Sequence, residues 1–87
     1  MSTTNLECFR QLAQQEVERN NTLFEDKPEY KLTMEDDGST FYFYQTNDEQ
    51  ANCFAQLIKI ATACRMTWYI NVKGIRDGML TPQLCVF

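Results

Sequence analysis

The chain has 87 residues, with twelve acidic and eight basic side chains, no histidine and a net charge of −4. Its hydrophobic content of 44% is ordinary for a globular protein, and a chain of this length builds one modest core, so we predict a single domain spanning residues 1–87. The absence of histidine excludes Ser-His-Asp and Cys-His catalysis. No apolar run approaches the ~20 residues of a membrane span, and the chain starts without an apolar leader, so we expect a cytoplasmic protein with no membrane partner.

The first predicted element is an amphipathic helix over about residues 5–20. Thr4 and Glu7 have the spacing of a capping box, in which the two side chains satisfy backbone amides at a helix start. Apolar residues then follow at helical period, namely Leu6, Phe9, Leu12, Ala13 and Val17. Asn20 and Asn21 are plausible terminators, since asparagine tolerates the left-handed conformation common at helix ends.

A β-hairpin is predicted over residues 30–45. Apolar and polar residues alternate from Tyr30 to Glu35, and Asp37-Gly38 is a strong turn signal. A two-residue turn there would place Met34 opposite Phe41 and Leu32 opposite Phe43, with all four in the core. The other face would carry Lys31, Thr33, Tyr42 and Tyr44. Whether another part of the chain covers the two tyrosines stays open at this stage.

The second half repeats the order helix, strand, turn, strand. Thr46 and Glu49 form a second capping box, with Asp48 also favourable there, and open a helix over about residues 47–65. Alternation over residues 67–72 predicts a strand, Asp77-Gly78 a second hairpin turn, and Pro82 a strand start, bulge or edge. The order α-β-β-α-β-β predicts an α+β two-layer sandwich, with two helices and an antiparallel four-stranded sheet.

The four cysteines, Cys8, Cys53, Cys64 and Cys85, include no CxxC pair, and we predict four reduced thiols. Without histidine or clustered cysteines we predict no metal site, and without a glycine-rich nucleotide motif we predict no cofactor. Residues 73–78 offer two cations and two glycines, which could wrap a phosphate. We predict that residues 73–78 form a hairpin loop instead.

Charge is divided unevenly along the chain. Residues 1–50 hold eleven acidic and four basic residues, a net of −7, whereas residues 51–87 have a net of +3. The acidity argues against direct nucleic-acid binding, which needs clustered lysine and arginine. We expect Glu35, Asp36 and Asp37 to be presented together at the hairpin tip, clear of the core. The pattern indicates either an interaction surface or solvated loops.

No set of residues suggests catalysis, so we expect a binding protein rather than an enzyme. The favoured hypothesis is an inhibitor that blocks the surface of a partner protein, such as a nucleic-acid-binding surface, with carboxylates where phosphates would sit. In size and composition the chain is similar to phage-encoded inhibitors of host defence or transcription. The candidate binding residues are Lys31, Glu35, Asp36, Asp37, Tyr42 and Tyr44.

Two other functions remain open from the sequence. One is a cellular adaptor or chaperone-like module that holds a partner segment along a sheet face. The other is a binder of a small ligand or nucleotide, which would need a deep pocket enclosing Lys73, Arg76 and a tyrosine. Both a monomer and a homodimer are compatible with the sequence.

Overall fold

The computed structural model describes residues 3–45, 54–76 and 79–87. Helix α1 (Thr3–Leu23) leads through a short 3-10 turn (Pro28–Tyr30) to strands β1 (Leu32–Asp36) and β2 (Phe41–Gln45). Helix α2 (Ala55–Ala63) and strands β3 (Trp68–Arg76) and β4 (Met79–Val86) follow. The predicted order α-β-β-α-β-β and the α+β fold are confirmed.

The four strands form one antiparallel sheet in the order β1-β2-β4-β3, so β1 and β3 are its edges. Pro82 lies in the central strand β4, which is an unusual place for a residue that cannot donate to the ladder. The register between β3 and β4 shifts by one residue at Pro82. Asn71 pairs with Gln83 on one side of the shift, and Gly74 pairs with Thr81 on the other. Of the alternatives predicted for Pro82, the structure selects the bulge.

Both helices bury their apolar residues against the same face of the sheet. Phe9 of α1 is fully buried, and its ring meets Phe41 and Phe43 edge-on at centroid distances of 5.0 and 6.0 Å. The rest of the buried cluster comes from both helices, the sheet and the end of α2: Ala13, Leu32, Phe54, Leu57, Ala61, Cys64, Met66, Leu84 and Val86. Leu12, predicted to belong to the apolar stripe of α1, is instead 39% exposed at its margin.

The hairpin between β1 and β2 has the predicted faces but a different register. Met34 pairs with Phe43 and Leu32 with Gln45, a shift of two residues from the prediction. Gly38, with φ of 98°, is the first central residue of the turn rather than the second. The carboxylate of Asp37 accepts hydrogen bonds from the amides of Ser39 (3.0 Å) and Thr40 (2.7 Å), which holds this turn. Because side chains alternate with period two, the shift leaves every residue on its predicted face.

The predicted capping box at the start of α1 is wrong. The helix begins at Thr3, so Thr4 lies inside it rather than at its cap. Glu7 instead pairs with Arg10 one turn further along the helix.

The other end of α1 continues through the two asparagines to Leu23. The side chain of Asn21 bonds the backbone of Leu32 as a neighbouring strand would. Its Nδ2 donates to the Leu32 carbonyl (2.9 Å), and its Oδ1 accepts from the Leu32 backbone amide (2.8 Å). The buried Asn20 donates to the carbonyl of Tyr30 (3.1 Å). The two asparagines therefore fasten the last turns of α1 to the entry of the sheet.

Two residues after helix α2 ends at Ala63, Arg65 lies in the left-handed region, with φ of 60°. The Met66 amide reaches back to the carbonyl of Ala61 (2.8 Å) and satisfies the helix end. The predicted second capping box, with Thr46, Asp48 and Glu49, lies outside the described residues. Asp77-Gly78 lies outside them too, although Arg76 pairs with Met79 on either side of it.

Candidate functional site

The face of the sheet opposite α1 and α2 is the candidate site, and we call it the open face. Strand alternation and register assign its side chains, because the residues buried against the helices point the other way. Along the described strands and the residue after β4, the open face carries Thr33, Glu35, Tyr42, Tyr44, Tyr69, Asn71, Gln83, Cys85 and Phe87. Four of these nine are aromatic.

One row of the open face crosses all four strands. Glu35 pairs with Tyr42, Tyr42 with Cys85, and Cys85 with Tyr69. Tyr69 is 51% exposed, whereas Cys85 between the tyrosines is buried. A hydrogen bond with the Cys85 thiol raises the pKa of Tyr69. Phe87 extends the surface, because its ring meets that of Tyr69 edge-on at 6.0 Å and is 38% exposed.

The neighbouring row is more polar. Tyr44 pairs with Thr33 on one side and Gln83 on the other, and Gln83 pairs with Asn71. The Gln83 side-chain amide donates to the Tyr44 hydroxyl at 2.8 Å. Tyr42 and Tyr44 are both half-buried, so each still presents part of its surface.

The three tip carboxylates do not form the single cluster expected from the sequence. Glu35 is exposed on the open face, and Asp37 accepts a hydrogen bond from the Tyr42 hydroxyl (3.5 Å) at its margin. Asp36 points to the helix side of the sheet, where the Arg10 guanidinium donates to it at 2.7 Å. Asp36 is exposed like the other two, so the three are clear of the core as expected, but the expectation that they are presented together is wrong for Asp36. Lys31 precedes β1, at the opposite end of that strand from the tip.

Asp36 helps to attach the β1–β2 hairpin to α1 through its contact with Arg10. The guanidinium also lies over the Phe41 ring, 5.4 Å from its centroid, and so joins the hairpin to α1. The hydrogen bond from Arg10 lowers the pKa of Asp36. The amides of Ser39 and Thr40 lower the pKa of Asp37 in the same direction.

Replacement of Asp36 by asparagine is expected to lower the thermal midpoint at neutral pH by about 2–5 °C. The pKa of Asp36 is lower in the folded protein than in the unfolded chain, where it is about 3.9. The ionised carboxylate therefore stabilises the fold at pH values above the unfolded-state pKa, and this stabilisation is lost as the pH falls through the folded-state pKa. The gap between wild type and Asp36→Asn should therefore close in acid. Thermal unfolding followed by circular dichroism from pH 7 to pH 2 measures it.

The matched control is Asp26→Asn, which removes an exposed carboxylate from the loop after α1. It should leave the midpoint within about 1 °C of wild type at every pH, because an exposed substitution without a partner costs little. A gap for Asp36→Asn that stays constant from pH 7 to pH 2 would show that ionisation of Asp36 is not the cause.

The cysteines and carboxylates of the described residues do not form a metal site. Cys8, Cys64 and Cys85 are free thiols, of which Cys8 is exposed, and Cys53 lies outside the described residues. Within residues 3–45, 54–76 and 79–87, no three Cys, Asp or Glu side chains gather where they could hold a metal ion. None of the helices in these ranges is both long and apolar enough to cross a membrane.

The glycine-containing segment considered for phosphate is not a loop where it is described. Residues 73–76 belong to β3, contrary to the loop that we favoured. Of the surface grooves lined by described side chains, one lies along α1 around Glu18 and Thr22, and another lies between α1 and β1 around Val17 and Met34. The linings of these two grooves contain no tyrosine.

Comparison of the chain with protein-family models, with curated proteins and with solved structures gives no match. Sequence reasoning found Tyr42 and Tyr44 but not Tyr69 and Phe87 as candidates. The alternation of residues 67–72 was a usable signal for Tyr69, since it set Tyr69 on the face opposite Trp68.

Proposed function

We propose that the protein acts in the cytoplasm by binding another protein through its open face, and that it inhibits this partner by covering a cationic, nucleic-acid-binding surface. The observation that supports the proposal is the row of Tyr42 and Tyr69, continued by Phe87, beside the carboxylates of Glu35 and Asp37. Both helices pack on the other side of the sheet.

Tyrosine is favoured at protein interfaces, because it contributes a large contact area at a small cost in conformational entropy and keeps a polar tip. The face of its ring also attracts lysine and arginine side chains. A cationic side chain over Tyr42 would find Glu35 and Asp37 within the same patch. This combination of ring faces and carboxylates suits a basic partner better than an acidic one.

The charge of the whole chain acts in the same direction at longer range. The net charge is −4, and the acidic excess is concentrated in the half that contains β1 and β2. Opposite potentials accelerate encounter, and salt weakens this effect because the Debye length is about 8 Å at 0.15 M. A nucleic acid presents the same sign of charge to its protein. A phage protein directed against host defence or transcription would gain from such competition.

The first experiment measures the chemistry of the face with a defined probe. A short peptide rich in arginine and lysine is titrated into isotope-labelled protein, and amide shifts are followed by NMR. We expect shifts concentrated at Glu35, Tyr42 and Tyr69, and none with a peptide of reversed charge. Shifts confined to the helix layer, or equal shifts with both peptides, would contradict the proposal.

The second experiment identifies the partner and tests the face against a matched surface. Wild type and the double variant Tyr42→Ala/Tyr69→Ala are used as baits in lysate, beside the control Leu12→Ala/Leu23→Ala, which removes two exposed apolar residues from the helix layer. With the purified partner, the tyrosine variant should bind about 10–100-fold more weakly through faster dissociation, and the control normally. Equal loss or equal retention in the two variants would contradict the proposed face.

Charge is tested with Glu35→Lys against Glu25→Lys, which makes the same charge change at an exposed loop position. Glu35→Lys should slow association roughly tenfold at low salt, whereas Glu25→Lys should have a smaller effect. Competition with nucleic acid then separates the two protein-binding functions. A partner that loses its nucleic acid supports inhibition, and one that keeps it supports the adaptor instead.

A further inference from the structure

Two thiols from different helices meet on the side of the sheet away from the open face. The Cys64 thiol, just after the end of α2, donates to the sulfur of Cys8 on α1, with the two Sγ atoms 3.6 Å apart. The residues lie 56 positions apart in the chain. Cys8 is exposed and Cys64 is buried, so the pair has one sulfur facing solvent and one facing the core.

We propose that Cys8 and Cys64 form a peroxide-sensitive thiol pair, which closes into a disulfide between α1 and the end of α2. A disulfide bond is about 2.05 Å long, so the sulfur atoms have to approach by about 1.5 Å from their present separation. Side-chain rotation covers much of such a distance, and the exposed side chain of Cys8 has room to rotate. The proposal is independent of the proposed function.

The chemistry is a two-electron oxidation by a hydroperoxide. The Cys8 thiolate attacks hydrogen peroxide, an S–O bond forms, the O–O bond breaks, and the hydroxide released becomes water. Cys64 then attacks the sulfenic sulfur of Cys8. The S–S bond forms as the S–O bond breaks, and the second hydroxide takes up the Cys64 proton as water. Two thiols are oxidised and one peroxide is reduced to two waters.

Exposure fixes the order of the two steps. Peroxide reaches Cys8 from solvent, whereas Cys64 is 6% exposed and packs within the core cluster. Burial also raises the pKa of the Cys64 thiol to about 11, which makes Cys64 the less reactive of the two sulfurs toward peroxide. Cys8 is therefore the peroxide-reactive cysteine and Cys64 the resolving one.

Formation of the disulfide would stabilise the folded protein by restricting the unfolded chain. The disulfide would link residues 8 and 64, and the loop between them contains most of α1, the β1–β2 hairpin and α2. A crosslink over a long loop restricts the unfolded chain strongly. We expect the thermal midpoint to rise by roughly 5–15 °C on oxidation and to return with dithiothreitol.

The test treats reduced, purified protein with a small excess of hydrogen peroxide and then alkylates it under denaturing conditions. Wild type should fall from four alkylated cysteines to two, and proteolysis without reductant should recover a peptide joining Cys8 to Cys64. Cys8→Ser, an exposed substitution that preserves the core, should abolish both the joined peptide and the rise in midpoint. Cys85→Ala should retain both.

Several results would overturn the proposal. They are a disulfide that links Cys8 to Cys53 or to a second molecule, oxidation of Cys8 to sulfinic or sulfonic acid without a joined peptide, and four alkylated cysteines after treatment. A rise in midpoint that persists in Cys8→Ser would do the same, because peroxide would then act elsewhere.

Discussion

Replacement of Phe9 by alanine is expected to lower the free energy of unfolding by about 3–5 kcal/mol. The Phe9 side chain is fully buried and packs edge-on against the rings of Phe41 and Phe43. Its loss leaves a cavity where a helix and two strand positions meet, and those rings cannot collapse into it without leaving the sheet. A domain of this size has about 4–13 kcal/mol in total, at 0.05–0.15 kcal/mol per residue, so the change removes a large part of it.

Urea unfolding at pH 7, followed by circular dichroism, measures this loss. The matched control is Leu23→Ala on the same helix, where the side chain is 65% exposed and the loss should be below about 1 kcal/mol. If Phe9→Ala and Leu23→Ala cost the same, α1 is not packed on the sheet through Phe9.

Replacement of Asn21 by alanine should cost about 2–4 kcal/mol. The substitution removes two hydrogen bonds and leaves the amide and the carbonyl of the buried Leu32 without their partner. Alanine is the better helix former, so intrinsic helix propensity acts in the opposite direction and is outweighed. The loss should appear in urea unfolding, and amide exchange of Leu32 should become faster than in wild type.

Thr22→Ala is the control, since Thr22 is exposed one position further along the same turn. It should be neutral or slightly stabilising, because alanine has the higher helix propensity. A neutral Asn21→Ala, or unchanged exchange at Leu32, would contradict the role of Asn21 as a partner of β1.

Most of the fold could be predicted because the local signals agreed with one another. The helical stripe around Phe9, the alternation in β1 and the turn residues near Gly38 predict the same α+β order as the structure. The predicted register of the hairpin was wrong. A slip of two residues leaves every side chain on the same face, so the apolar alternation of the two strands does not detect it, and only the position of Gly38 in the turn decides the register.

The predictions for the asparagines and for the tip carboxylates were wrong for another reason. Asn21 and Asp36 have partners far away in the sequence, Leu32 and Arg10, and a local pattern carries no information about them. The same holds for the extent of the open face. Tyr69 joins Tyr42 only because β4 lies between β2 and β3, an order that the sequence of elements leaves open.

The strand order β1-β2-β4-β3 also bears on how the chain folds. Each hairpin pairs neighbours in sequence and can form early, whereas the β2–β4 ladder joins residues such as Tyr44 and Gln83, which are 39 positions apart. Contacts at such a separation form late, because the loop between them must close before any contact is gained. The ladder completes the sheet that Phe9 packs on, so the rate-limiting step we expect is the docking of two preformed halves, with α1 closing over the seam.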